Sequence, residues 1–141
     1  MLLPDALLKS YKNIPAKFKT LKLPHSLSIN AQADGGFDLL LYDVIGCGGI
    51  EADDVVQALA LAGGAPVRVR INSPGGDAFE GFAIYNILNS YEGEVTTVVD
   101  GVAASAAAYL AMAGSTVEMQ PASFLMIHNG WTVGLVFHQD A

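Results

Sequence analysis

Between residues 37 and 130, four short apolar runs each end in a tight turn of small or polar residues. Phe37 to Ile45 gives way to Gly46-Cys47-Gly48-Gly49, and Pro66 to Asn72 gives way to Ser73-Pro74-Gly75-Gly76. Val95 to Val99 breaks at Asp100-Gly101, and Ser123 to His128 stops at Asn129-Gly130. Glycine admits backbone angles closed to other residues, so such turns let a strand reverse sharply into a helix. Three of them lead into helical patterns. Glu51 to Ala62 carries Val55, Val56, Leu59 and Leu61 with acids in the first turn, which suit the positive end of a helix. The stretch from Asp77 to Tyr91 carries Phe79, Phe82, Ala83, Ile84, Ile87 and Leu88, and Ala103 to Ala113 is an alanine-rich helical pattern. Val67, Val69 and Ile71 alternate with Arg68 and Arg70, as in a half-exposed strand. Thr116 to Met119 and Ser123 to His128, separated by Pro121, complete the order β-α-β-α-β-α-β-β. That order predicts an α/β domain with a largely parallel sheet, whose sites lie beyond the strand ends.

Charge divides the chain unevenly. Residues 1 to 22 hold all five lysines and a single acid, Asp5, whereas residues 23 to 141 hold Arg68 and Arg70 against thirteen acids. Residues 1–35, punctuated by Pro4, Pro15, Pro24 and Gly35-Gly36, read as an irregular basic leader, and residues 36–141 as the folded domain. The acidic body argues against nucleic acid as a partner. With 52% hydrophobic and only 15% charged residues, the chain is no disordered tail, and it has apolar surface that self-association would cover. Cys47 is the sole cysteine, which excludes an internal disulfide and a cysteine-based zinc site and fits a reducing cytoplasm. Lys9, Lys12, Lys17 and Lys19 interrupt any signal-peptide core, and Gly101 to Gly114 is too short to span a bilayer. No membrane association is expected.

Three features could carry chemistry. In Gly101-Val102-Ala103-Ala104-Ser105-Ala106-Ala107-Ala108 a serine opens a helix, where free backbone N–H groups can stabilise an oxyanion. A plain N-cap serine would explain the same residues. In Asn72-Ser73-Pro74-Gly75-Gly76-Asp77 two glycines can turn an N–H toward a developing negative charge, although an ordinary strand-to-helix turn needs them equally. In Met126-Ile127-His128-Asn129-Gly130 a histidine ends an apolar strand 23 residues after Ser105, which allows the chain to return to the serine; a lone structural histidine is the competing reading.

Taken together, Ile71-Asn72-Ser73-Pro74-Gly75-Gly76, Ala83-Ile84-Tyr85-Asn86, Gly101-Val102-Ala103-Ala104-Ser105-Ala106-Ala107 and Met126-Ile127-His128 resemble, in order and spacing, the proteolytic subunit of the Clp protease. Asp77-Ala78-Phe79-Glu80-Gly81, Ala111-Met112-Ala113-Gly114 and Met126-Ile127-His128-Asn129 look most like its phage branch, the Clp-like head maturation proteases. The resemblance covers roughly residues 37 to 132. It implies a crotonase-like or Clp-protease-like spiral of β-β-α units, with Ser105 as nucleophile and His128 as general base. The N–H groups of Gly76 (or Gly75) and Ala106 would form the oxyanion hole, and Gly75, Asp77, Ala78 and Asn129 would flank an extended substrate. It further implies hydrolysis of protein or peptide substrates without metal or organic cofactor, self-association into rings, and an ATPase ring as possible partner. The setting would be the bacterial cytosol or a phage procapsid, where the substrates are scaffold and capsid proteins.

The resemblance also exposes a gap. The family's triad aspartate follows the histidine at some distance, whereas this sequence ends at Ala141 with Asp140 as the single later acid. Asp77, Asp100 and Glu118 lie near the motif blocks without matching that acid. The chain is therefore expected to be truncated, with a weakened triad, and to associate through the apolar face of the helix after Asp77 without closing a double ring. A non-catalytic assembly protein of this fold, or a crotonase-type acyl-CoA enzyme, are the alternatives. A Ser–Lys peptidase is disfavoured because no lysine follows Lys22, and Glu51 occupies the place of the last glycine in a G-x-G-x-x-G nucleotide loop.

Overall fold

The computed structural model describes residues 20–22 and 27–132. Expectations for residues 1–19, 23–26 and 133–141 lie outside the described residues. Seven strands form one sheet: β1 (Thr20–Lys22), β2 (Ser28–Ala31), β3 (Phe37–Leu41), β4 (Val67–Ser73), β5 (Val95–Ala104), β6 (Thr116–Met119) and β7 (Phe124–Met126). Strands β1, β2 and β3 pair antiparallel, and β3, β4, β5 and β6 run parallel in that order. Strand β7 joins the far end of β5, also parallel. The supposed leader thus supplies two strands, which corrects the expectation of an irregular segment up to residue 35. They were hidden because strands of three and four residues are too short for alternation to show.

Helices α1 (Ala52–Ala62), α2 (Ala78–Asn89) and α3 (Ala106–Ala111) connect the parallel strands. Their apolar stripes meet one face of the sheet. Val55, Ala58 and Leu59 of α1, Ile84 and Leu88 of α2, and Ala107 and Leu110 of α3 share a buried cluster with Leu39, Val69, Ile71 and Val99. The helix ends are satisfied locally. Asp77 Oδ1 accepts from the N–H groups of Phe79 and Glu80 at 2.8 and 2.9 Å, capping α2. Gly63, left-handed at φ 60°, closes α1 with its N–H on the Leu59 carbonyl. Glu80 of α2 reaches across to accept from the Ala52 N–H at 2.9 Å, so one helix caps another.

Two local expectations fail around β5. The strand runs through Asp100-Gly101, and Ala103 and Ala104 belong to it rather than to a helix spanning 103 to 113. Alanine's helix preference is a weak local bias. Ala103 instead pairs with Ser73 on one side and Leu125 on the other.

The opposite face of the sheet carries a charged lattice. Arg70 grips Asp100 with Nε and Nη2 at 2.8 and 2.6 Å, the Tyr42 hydroxyl donates to the same carboxylate, and Arg68 Nε donates to Asp38 at 2.8 Å. The Arg70 hydrogen bonds hold the Asp100 carboxyl below the usual carboxylate range, against the opposing effect of burial. A carboxyl that titrates lower when folded stabilises the protein above its unfolded value near 4 and loses that contribution as pH falls through the folded value. Asp100→Asn should lower the unfolding free energy from urea denaturation at pH 7 by about 1–2 kcal/mol after allowance for solvent screening. It should also flatten the acid limb of midpoint against pH. An unchanged acid limb would show that another carboxylate governs it.

Candidate active site

Ser105 sits where β5 stops and α3 begins, with φ 56° and ψ −123°. A non-glycine residue at positive φ stores on the order of 1–3 kcal/mol of strain and persists only where its surroundings impose it. Its N–H donates to the Met126 carbonyl at 2.9 Å, and its carbonyl accepts from Ala108 at 3.0 Å. The side chain makes no cap hydrogen bond. An N-cap serine would turn its hydroxyl back onto the first turn of the helix, so capping does not account for Ser105. The Ala106 N–H, at the first helical position, has no partner among the described residues.

The Gly75-Gly76 turn lies against this corner. Gly75 has φ 90°, and a methyl group there would fall 2.4 Å from the Ala104 carbonyl oxygen, 2.8 Å from Ser105 Cβ and 3.0 Å from the Ala106 nitrogen. On its other side the turn is clamped by Ile45, which donates to the Gly75 carbonyl at 2.9 Å and accepts from the Asp77 N–H at 2.8 Å. In such a parallel bridge the middle residue's own amide points away from the partner strand. The Gly76 N–H accordingly has no hydrogen bond to a described residue. The glycine run Gly46 to Gly49 now has a structural explanation. The N–H groups of Gly46, Gly48 and Gly49 bond to Ile50, Glu51 and Gly46, and Ile45 at the loop's start bridges to Gly76, so these glycine amides are spent on the protein itself.

The anchoring of Ser105 to Met126 brings the chain end of β7 alongside, and His128 follows two residues later. Ser105, Ala106, His128 and Ala78 line one cavity of about 420 Å³. Ser105 and His128 share it without a hydrogen bond between their side chains, an arrangement that apo catalytic pairs often show before substrate tightens them. Gly75, Gly76, Asp77 and Asn129 are not part of the cavity wall: Gly75 lies against Ala104 and Ser105, Gly76 against Ile45, and the Asp77 carboxylate is committed to capping α2. The other acids near the motif blocks are also accounted for. Asp100 is held by Arg70 and Tyr42, and Glu118 is exposed on β6.

The rest of the wall went unassigned in the sequence. Phe82 of α2, Tyr109 and Met112 from α3 and its end, and Leu125 and Ile127 around β7 make it predominantly apolar. Phe82 and Tyr109 stack edge to face at 5.2 Å. The signal was the surplus of large apolar residues on α2, more than one core-facing stripe can bury. A strained serine, the unpartnered Ala106 amide and a histidine line one cavity, an arrangement compatible with acyl transfer through a serine ester.

Comparison with known proteins assigns the lineage. The sequence pattern of the Clp protease family matches residues 50–139, so this chain belongs to the Clp protease family. It is 33% identical over 120 residues to an ATP-dependent Clp protease proteolytic subunit of Ligilactobacillus salivarius, an overlap covering 75% of this chain and 61% of that one. A Porphyromonas gingivalis subunit of the same name is 30% identical over 132 residues, covering 86% of this chain and 60% of its own. The crystal structure of the ClpP protease catalytic domain from Plasmodium falciparum superposes with a TM-score of 0.57 at 30% identity, over 63% of this chain and 53% of that one. The α/β class and the Clp-protease type of fold stand on that likeness. The chain spans about three fifths of the length of these curated relatives.

Proposed function

We propose that this chain is a serine endopeptidase of the Clp proteolytic type, with Ser105 as nucleophile and His128 as general base. The observation that carries the reading is the strained, uncapped Ser105, tied through its N–H to Met126 and thereby set in one cavity with His128. Ser105 Oγ attacks the scissile carbonyl while His128 takes the hydroxyl proton, and the oxyanion accepts from the N–H groups of Gly76 and Ala106. The amine leaves with the proton from His128, and water then hydrolyses the ester by the same steps in reverse. The apolar wall beside Ser105 would seat an apolar side chain next to the scissile bond. A fluorophosphonate probe should add one phosphonyl group per chain, mapped by mass spectrometry to Ser105. An adduct on another residue, or none, would overturn the assignment.

Substrates are read as proteins or peptides bound in extended form along the cavity edge that Ala78 lines. In its finer form the proposal places this chain in phage procapsid maturation, supported by the variants Asp77 to Gly81 and Ala111 to Gly114. The relatives' names support instead, for those proteins, work with an ATP-dependent partner. Cleavage of a scaffold protein without added ATPase favours the first setting, and dependence on an unfoldase ring in the cytoplasm favours the second.

Self-association belongs to the same reading. Phe79 is 81% exposed, and it begins an aromatic row continued by Phe82 and Tyr109, with ring centroids 6.3 and 5.2 Å apart. Such a row across two helices is a surface that a second subunit can cover. Light scattering should give a mass above that of the monomer, and Phe79→Glu should shift it toward the monomer with the fold retained. Equal masses for both proteins would remove this face from the interface.

A further inference from the structure

The register of β5 changes between its two halves. Ile71 of β4 pairs with Val99, but Ser73 pairs with Ala103, so that residues 100–102 of β5 stand opposite the single residue Asn72. This bulge is where the sheet forks. Before it, Thr96 to Val99 pair with β6; after it, Val102 to Ala104 pair with β7. Backbone groups in a bulge lose their ladder partners. Here one is recovered by a side chain: Asn72 Oδ1 accepts from the Val102 N–H at 3.1 Å. The neighbouring residue is shaped to allow it. A methyl group on Gly101 would lie 2.6 Å from Asn72 Oδ1 and 3.2 Å from its Cγ, so the side-chain amide fills the space that glycine leaves.

We propose that Asn72 is a positioning residue for Ser105, acting through the Val102 amide to fix how far β5 advances past the Gly75-Gly76 turn. The inference rests on the reading of Ser105 as nucleophile. Ser105 lies only three residues beyond Val102, and Ala104 and Ser105 stand so near Gly75 that a methyl group there would clash with both. Slippage of the bulge would shift the Ser105-Ala106 corner as a unit relative to the Gly75-Gly76 turn. Misplacement of about 1 Å at a reacting atom can lower a rate roughly a hundredfold, which makes this contact one that chemistry would register before global stability does.

The test compares the parent with Asn72→Ala, Gly101→Ala, the double variant and Asn72→Asp, whose carboxylate keeps the acceptor. Two quantities are read: the rate of fluorophosphonate labelling at Ser105, and hydrogen exchange at the amides of Val102 and Ser105. Asn72→Ala and Gly101→Ala should each slow labelling about 10- to 100-fold and speed exchange at Val102, with little change in the urea midpoint. The double variant should be no worse than either single one, because both break the same contact. Asn72→Asp should restore most of the labelling rate. Unchanged exchange at Val102 overturns the proposal, and so does faster exchange with undiminished labelling, or an aspartate variant as slow as alanine. If Asn72→Ala does not fold, Gly101→Ala carries the same comparison. A parent that does not label refutes the nucleophile reading by itself; exchange at Val102 and Ser105 then still decides whether Asn72 holds the bulge.

Discussion

Ser105→Ala is expected to abolish fluorophosphonate labelling and to lower peptide hydrolysis by on the order of 10⁴–10⁶-fold, the range seen when a serine nucleophile is removed. The fold should survive, because the Ser105 side chain caps nothing and only its backbone is used by the neighbouring strand. Alanine even keeps the helix start. His128→Ala should slow labelling by about 10²–10⁴-fold, the usual worth of a positioned general base. It too should fold normally, being exposed and beyond the end of β7. The pair of results separates roles: a serine variant that labels at the parent's rate dismisses the nucleophile, whereas a histidine variant that does so dismisses the base.

Gly76→Ala is expected to be the most destabilising single-methyl change in the described part of the chain. Its φ is 152°, and the added methyl would lie 2.1 Å from the Ile45 carbonyl oxygen and 2.9 Å from the Ile45 nitrogen, both backbone atoms that cannot swing aside. Backbone strain and overpacking each contribute roughly 1–3 kcal/mol, giving about 2–6 kcal/mol in urea denaturation. Gly35→Ala is the matched control. It shares a positive φ, 89°, but has nothing within 4 Å of the added atom, so it reports the backbone contribution alone. A loss at Gly76 no larger than at Gly35 would mean that the clamp on Ile45 yields easily. It could not then hold an oxyanion-binding turn in place.

Legibility in the sequence followed the range of the interactions. Glycine turns and apolar periodicity announced α1, α2, β4 and β6 nearly to their ends, because those signals are local. Strand β3 was drawn four residues too long, since Ile45 is extended but pairs only in isolated bridges with Ile50 and Gly76. Ala103 and Ala104 were misassigned because nothing within the alanine run says that Ser73 and Leu125 will pair with it. The candidate pair Ser105 and His128 was visible through its residue types and family spacing. The Met126 carbonyl that joins them was not, since a backbone oxygen leaves no mark in a sequence. Asn72 was quoted within a motif block, but its contact with Val102 exists only because two residues of β5 slip out of register.

That fork in β5 separates two things that are usually tied together, the length of a connection and the geometry of what it connects. Ser105 is fastened to Met126, and β7 to the last residues of β5, independently of β6. The excursion from Met112 to Ser123 therefore leaves and re-enters between fixed posts. Loop-closure entropy grows only slowly with length. The turn at Pro121 and Ala122 accordingly offers an insertion point: a few residues, or a small folded tag, added there should leave the spacing of serine and histidine intact. In a lineage of such chains this stretch is where new surface can be gained without retuning the chemistry.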